Sequence, residues 1–121
     1  MTQNELEIHD RGNHILIDFF GEFSREAGKR CFDSMVEACD EFGRSTVLLD
    51  CRKMTGQPGI LDRFLVMEYG QITHRTISRL ALVSRQENIL PDRFEEHVAV
   101  NRGVNLRIFT DIEAALAWLR S

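Results

Sequence analysis

Long apolar runs are missing from this chain. None approaches the ~20 residues that a membrane-spanning helix requires, so stable membrane insertion is not expected. Cysteine is scarce and odd in number, with three residues in 121 and no paired metal-binding spacing. That pattern suits a reducing compartment better than a disulfide framework. None of the four histidines stands in a His-x-x-x-His or His-Glu-x-x-His arrangement, and none pairs with a cysteine at zinc spacing. Neither a Gly-x-x-x-x-Gly-Lys loop nor a Gly-x-Gly-x-x-Gly fingerprint occurs, so no nucleotide cofactor is expected. Only two prolines are present, and no linker, repeat or low-complexity segment divides the chain. Strong charge of one sign is also absent: the net charge of −4 argues against nucleic acid as the main partner.

What remains is an ordinary globular composition, 43% hydrophobic and 28% charged. Residues 1–121 are expected to form one domain, large enough to bury a core without staples. The opening Met1-Thr2-Gln3-Asn4-Glu5 is polar and unlike a signal peptide, so a cytoplasmic protein is expected.

The stretch from Ser45 to Gly59 organises the pattern. Val47-Leu48-Leu49 is apolar on both faces, as a strand covered on both sides should be. Asp50 stops the run, and Gly56, Pro58 and Gly59 mark a tight connection to a helix. Before it, Leu6 and Ile8 alternate with charged residues in a half-exposed strand. Asp10-Arg11-Gly12-Asn13 is turn chemistry, and His14 to Phe20 is a second, deeper strand. Ser24 is the expected N-cap of a helix whose stripe is Ala27, Cys31, Met35, Ala38 and Phe42, closed by Gly43. A second helix, apolar over much of its circumference, is expected from about Ile60 to Thr73. Leu80 to Val83 reads as a buried strand. Pro91 suits the first turn of a third helix that Gly103 closes, and Val104, Leu106 and Ile108 mark a last strand. Thr110-Asp111-Ile112-Glu113 matches a capping box at the start of a final helix. The expected architecture is α/β: a mostly parallel five-stranded sheet with an N-terminal antiparallel hairpin and four helices, in the order ββαβαβαβα.

Ligands meet open parallel sheets at the carboxyl ends of the strands. The candidate binding residues are therefore Asp50, Arg52, Thr55, Gly56 and Gln57 after the central strand, Ser84 and Arg85 after the next, and Phe64 on the second helix. Arg52, Lys53 and Arg85 are positioned to line a shallow cationic rim with Thr55 and Ser84. Cys31 and Cys39 read as core residues. Cys51, beside Arg52 and Lys53, is the one thiol whose neighbours favour a lowered pKa. His9 and His14 flank the hairpin turn, but two ligands make a poor metal site, and no metal is expected. Asp18, inside an apolar strand, is expected to be hydrogen-bonded or near an exposed edge.

With this order in place the chain resembles the SpoIIAA-like superfamily, whose fold is related to anti-sigma-factor-antagonist (STAS) domains and CRAL-TRIO lipid-binding domains. The matching pieces are Val47 to Arg52, the turn Met54-Thr55-Gly56-Gln57-Pro58, Arg79 to Val83, and the tail from Arg107 to Leu119. The resemblance implies a small bacterial module for protein–protein regulation or apolar-ligand binding, without catalysis. Phosphoregulated members carry Asp-Ser-Ser/Ala-Gly where the helix opens after the central strand. Here that place holds Gln57-Pro58-Gly59-Ile60, so the serine switch is not carried over. The expected function is a non-enzymatic interaction module that contacts another protein or a second copy of itself as a homodimer. The alternatives are a small apolar-ligand or lipid carrier and, third, a thiol enzyme using Cys51.

Overall fold

A computed structural model describes residues 4–121. Strands β1 (Asn4–Asp10) and β2 (Ile15–Glu22) form the expected antiparallel hairpin. Then come α1 (Arg25–Phe42), β3 (Thr46–Asp50), a short β4 (Met54–Thr55), α2 (Ile60–Tyr69), β5 (Arg79–Val83), α3 (Phe94–Asn101), β6 (Leu106–Phe109) and α4 (Ile112–Arg120). The sheet runs β1-β2-β3-β5-β6, and every pairing after the hairpin is parallel. The mixed α/β fold and its four helices are as expected. β4 makes a sixth strand: two residues are too short to show an alternation. It pairs with the end of β2, Gly21 opposite Met54, beyond the point where β3 leaves off.

Alternation along the strands divides the core. Ile15, Ile17 and Phe19 of β2, Val47 and Leu49 of β3, Leu80 of β5, and Leu106 and Ile108 of β6 pack under α1, α2 and α3. Leu48, Ala81 and Val83 face the other way, under Ala115 and Leu119 of α4. β3 and β5 are thus covered on both faces, which is why their sequences are apolar throughout. Ile15, Ile17, Val47 and Leu80 are fully buried, and each such side chain contributes roughly 1.5–3 kcal/mol.

The helix ends follow local chemistry, with three corrections. Ser24 caps α1 as expected, its hydroxyl accepting from the Ala27 amide at 3.0 Å, and Gly43 closes it with φ of 69°. Phe42, the last residue of α1, falls outside the buried stripe and is 41% exposed. α3 begins at Phe94, not at Pro91. Pro91 lies in a preceding turn, and Arg93 takes a left-handed conformation with φ of 52°, which the helix cannot continue through. α4 is capped by Asp111 rather than Thr110. Its carboxylate accepts from the amides of Glu113 and Ala114 at 3.3 and 3.2 Å, and its charge suits the helix N-terminus better than a hydroxyl. The last turn of the expected second helix is 3₁₀, over Gly70–Thr73.

α1 and α2 approach closely at Gly28, where an added Cβ would lie 2.8 Å from both methyls of Val66. Those methyls sit on a stiff β-branched side chain and cannot give way cheaply. Alanine would gain about 1 kcal/mol of helix propensity, against an overlap cost of about 1–3 kcal/mol. Gly28→Ala is expected to lower stability by about 1 kcal/mol and the melting temperature by about 4 °C. Gly59→Ala, whose Cβ meets nothing within 4 Å, should stay within about 0.5 kcal/mol of wild type. Urea and thermal unfolding of the two variants measure the contrast.

Candidate functional site

The carboxyl edge of the sheet is built where β3 and β5 end side by side, Asp50 opposite Val83. Alternation sends Asp50 and Cys51 to opposite faces. Asp50, 4% exposed, lies on the α4 side. It accepts from the Arg52 backbone amide at 3.0 Å and from the guanidinium Nε and Nη2 at 3.0 and 2.8 Å. Burial alone would raise its pKa. The Arg52 side chain and amide, with Lys53, outweigh burial and hold the carboxyl below its ordinary value. Arg52 is correspondingly engaged, and the Lys53 ammonium lies 4.9 Å from the centre of the Phe20 ring.

On the other face, the loop between β3 and α2 is stitched to the loop between β5 and α3. Arg85 Nη2 donates to the Met54 carbonyl at 2.8 Å, and its Nε is 3.6 Å from Glu87. Gln57 Nε2 donates to the Glu87 carbonyl at 3.2 Å. The strongest stitch is Arg63, 6% exposed on α2. Its Nε donates to the Pro58 carbonyl at 2.9 Å, and its Nη1 donates to the Asn88 carbonyl at 2.8 Å and to Glu95 Oε2 at 2.7 Å. One guanidinium therefore joins the turn before α2, the turn after β5 and the first turn of α3.

Beneath these loops, between the sheet and α1 and α2, lies a cavity of about 80 Å³. Phe19, Phe23, Phe32, Leu49 and Met67 contribute apolar wall, while Arg63, Ser84, Asn88 and Glu95 form a polar end.

The cysteine chemistry is decided by burial. Cys51 is 7% exposed, and desolvation, reinforced by Cys31, Asp50 and Glu95, pushes its thiol well above the ordinary value. Arg52 and Lys53 do not lower it: Arg52 folds back onto Asp50 and Lys53 lies over the Phe20 ring. Cys31 and Cys39 are buried core thiols, pushed up to about 12 and about 11 by desolvation. The reading of Cys51 as an activated thiol is therefore corrected. Near the sheet edge, His14 Nδ1 is 2.7 Å from Asn13 Oδ1. Glu7, His9 and Asp18 instead bring one potential ligand atom each within 4.8 Å of one another, at the β1 edge. Asp18, opposite Glu7 on one side and Asp50 on the other, is half-buried on the interior strand β2.

The eight candidate residues do not gather in one place. Asp50 and Arg52 form a pair on the α4 face. Ser84, 6% exposed, lines the cavity on the opposite face. Thr55 at the end of β4 and Gly56 and Gln57 in the turn before α2 are exposed, with Gly56 at φ of 80°. Phe64 is half-buried, with the Arg102 guanidinium 5.1 Å from its ring centre. Arg85 holds the loop seam. The rim cations engage carboxylates, carbonyls and a ring instead of forming an open anion site. Arg63, Asn88 and Glu95 were not picked out in sequence. Arg63 offered a signal: it shares the helical stripe of Val66, Met67 and Gly70, a charge on an apolar face.

No family model and no curated protein matches the sequence. Solved structures do match its shape. An anti-sigma factor antagonist from Mycobacterium paratuberculosis aligns at a TM-score of 0.65 and 10% identity, over 98% of this chain and 96% of that one. An uncharacterized protein with a SpoIIAA-like fold from Shewanella loihica aligns at a TM-score of 0.59 and 14% identity, over 98% and 95%. The chain has the SpoIIAA-like fold. In this chain the helix after the central strand opens on Gly59 without a side-chain cap, and Ile60 and Leu61 stand outward, each 62% exposed. Arg25 holds that turn to α1 through Asp62 at 2.8 Å.

Removing Arg63 strands a buried carboxylate. Arg63→Leu is expected to cost about 3 kcal/mol, and Arg63→Leu/Glu95→Leu less than the sum of the single losses. A double-mutant cycle in urea measures the difference. In the native protein Cys51 should react with a disulfide reagent far more slowly than free cysteine, its rate rising to that of the free thiol only in denaturant.

Proposed function

We propose that this chain is a non-enzymatic regulatory module that acts by binding another protein through the opening turn of α2. The observation that carries the reading is the adjacent pair Ile60 and Leu61, each 62% exposed on a turn that Arg25, Gln57 and Arg63 hold in place. Apolar side chains displayed on a rigid support are what a protein partner buries. The mycobacterial fold neighbour is an anti-sigma factor antagonist, which supports a regulatory reading. Thr55, Gly56 and Gln57 would flank the contact, Phe64 would lie behind it, and Asp50, Arg52, Ser84 and Arg85 would keep the edge rigid. No serine or threonine stands at positions 57–60, so we infer a surface that works without a serine switch there. Three free cysteines suit the bacterial cytoplasm as its compartment.

The rival reading, a lipid carrier, is less well supported. The apolar cavity of about 80 Å³ is far below the roughly 300–1,000 Å³ of ordinary ligand pockets, and the larger depression of about 430 Å³ is lined by Asn13, His14, Ser45, Thr46 and Arg120 as well as by Leu116 and Leu119, not by an apolar wall.

Ile60→Asp/Leu61→Asp alters two exposed side chains and should leave the thermal transition nearly unchanged. Wild-type and double-variant protein, immobilised in parallel and exposed to bacterial lysate, are compared by quantitative mass spectrometry. A specific protein retained by wild type and reduced at least tenfold on the variant is the expected result. Light scattering identifies the partner as a second copy if wild type is dimeric and the variant monomeric. Identical retention and identical mass for both proteins would overturn the reading.

A further inference from the structure

The polar end of the cavity is unfinished. Asn88 is 4% exposed and its backbone is fully engaged, its amide donating to the Arg85 carbonyl and its carbonyl accepting from Arg63. Its side chain is buried as well, yet neither Oδ1 nor Nδ2 has a partner. Glu95 spends Oε2 on Arg63, while the buried Oε1 has none. Three unpartnered buried polar atoms, on two residues that line one cavity of about 80 Å³, are more than a packed core ordinarily tolerates.

We propose that this cavity binds a small neutral molecule with a head group that both donates and accepts hydrogen bonds, such as a primary amide, on a short apolar body. The head follows from the inventory of groups. Asn88 presents one amide donor and one acceptor, whichever way its side chain is turned, and Glu95 Oε1 presents a further acceptor. A primary amide meets Asn88 edge to edge and has a second N–H for Glu95. Neutrality follows from charge. Arg63 and Glu95 already balance each other at 2.7 Å, an anion would face the Glu95 carboxylate, and a cation would compete with Arg63. The apolar body follows from the opposite wall. Water placed against Phe19, Phe23, Phe32 and Leu49 would lack partners, whereas a short alkyl chain buries there. Size follows from volume: the cavity is about half that of an engineered one, about 150 Å³, that takes benzene, so the ligand is smaller than benzene and its apolar body is no more than a methyl or ethyl group. This site does not depend on the docking turn of α2, and either reading can fail without the other.

Acetamide is the probe, and acetone, equal in heavy atoms but without a donor, is its control. Both are titrated by NMR into wild type, Asn88→Leu and Leu82→Phe. Leu82 also lines the cavity, and a larger ring there takes up part of its volume. Acetamide should shift the Met54 and Met67 methyls and the Ser84 amide saturably in wild type. It should bind at least tenfold more weakly to Asn88→Leu and to Leu82→Phe. Acetone should bind wild type at least tenfold more weakly than acetamide. If Asn88→Leu does not give a folded spectrum, Leu82→Phe and the ketone decide the question. Absence of saturable shifts, equal affinity for amide and ketone, or a crystal soaked in acetamide that shows only ordered water in the cavity would overturn the proposal.

Discussion

The carboxyl edge of this protein depends on one buried guanidinium. Arg63 enters the interior on an otherwise apolar helix face and satisfies two loop carbonyls and one carboxylate. Loops at the ends of parallel strands have few backbone partners of their own, because the ladder stops where they begin. A side chain with five donors in a planar fork can replace several of those partners at once. Both the outward turn of α2 and the cavity beneath it take their shape from that seam.

The same edge shows how a two-residue period sorts chemistry. Asp50 and Cys51 are neighbours in sequence and occupy opposite sides of the sheet. Asp50 keeps its charge because Arg52 folds back onto it. Cys51 loses the influence of that arginine because it points into a desolvated space, where thiolate is disfavoured. Local charge in sequence is thus a poor guide to thiol reactivity within a strand. The face decides which neighbours count.

The fold was legible because its signals are local and repeated. Val47 to Leu49 and Leu80 to Val83 read as two-sided strands, and Ser24 and Gly43 bracketed α1 correctly. The misses lie at ends. Thr110 and Asp111 are both good caps, and the carboxylate one residue on displaces the hydroxyl that the capping-box pattern suggests. Pro91 looked like a helix start until Arg93, held by the Ile108 carbonyl, broke the path before Phe94. β4 is two residues long, shorter than any period.

The candidate site was legible as a location and not as a set of residues. Hydrophobic periodicity and turn chemistry determined the order of strands and helices, and with it which strand ends share an edge. These quantities depend on residues close in sequence, so the sequence by itself settled them. Only the tertiary structure decided that Arg63, Asn88 and Glu95 meet, since 25 and 32 residues separate Arg63 from its two partners. It alone also decided that Ile60 and Leu61 stay exposed while Val66 and Met67 are buried. A helix apolar on most sides can turn several faces inward, and the choice was made by what packs against it: the cavity, the sheet and the close approach at Gly28.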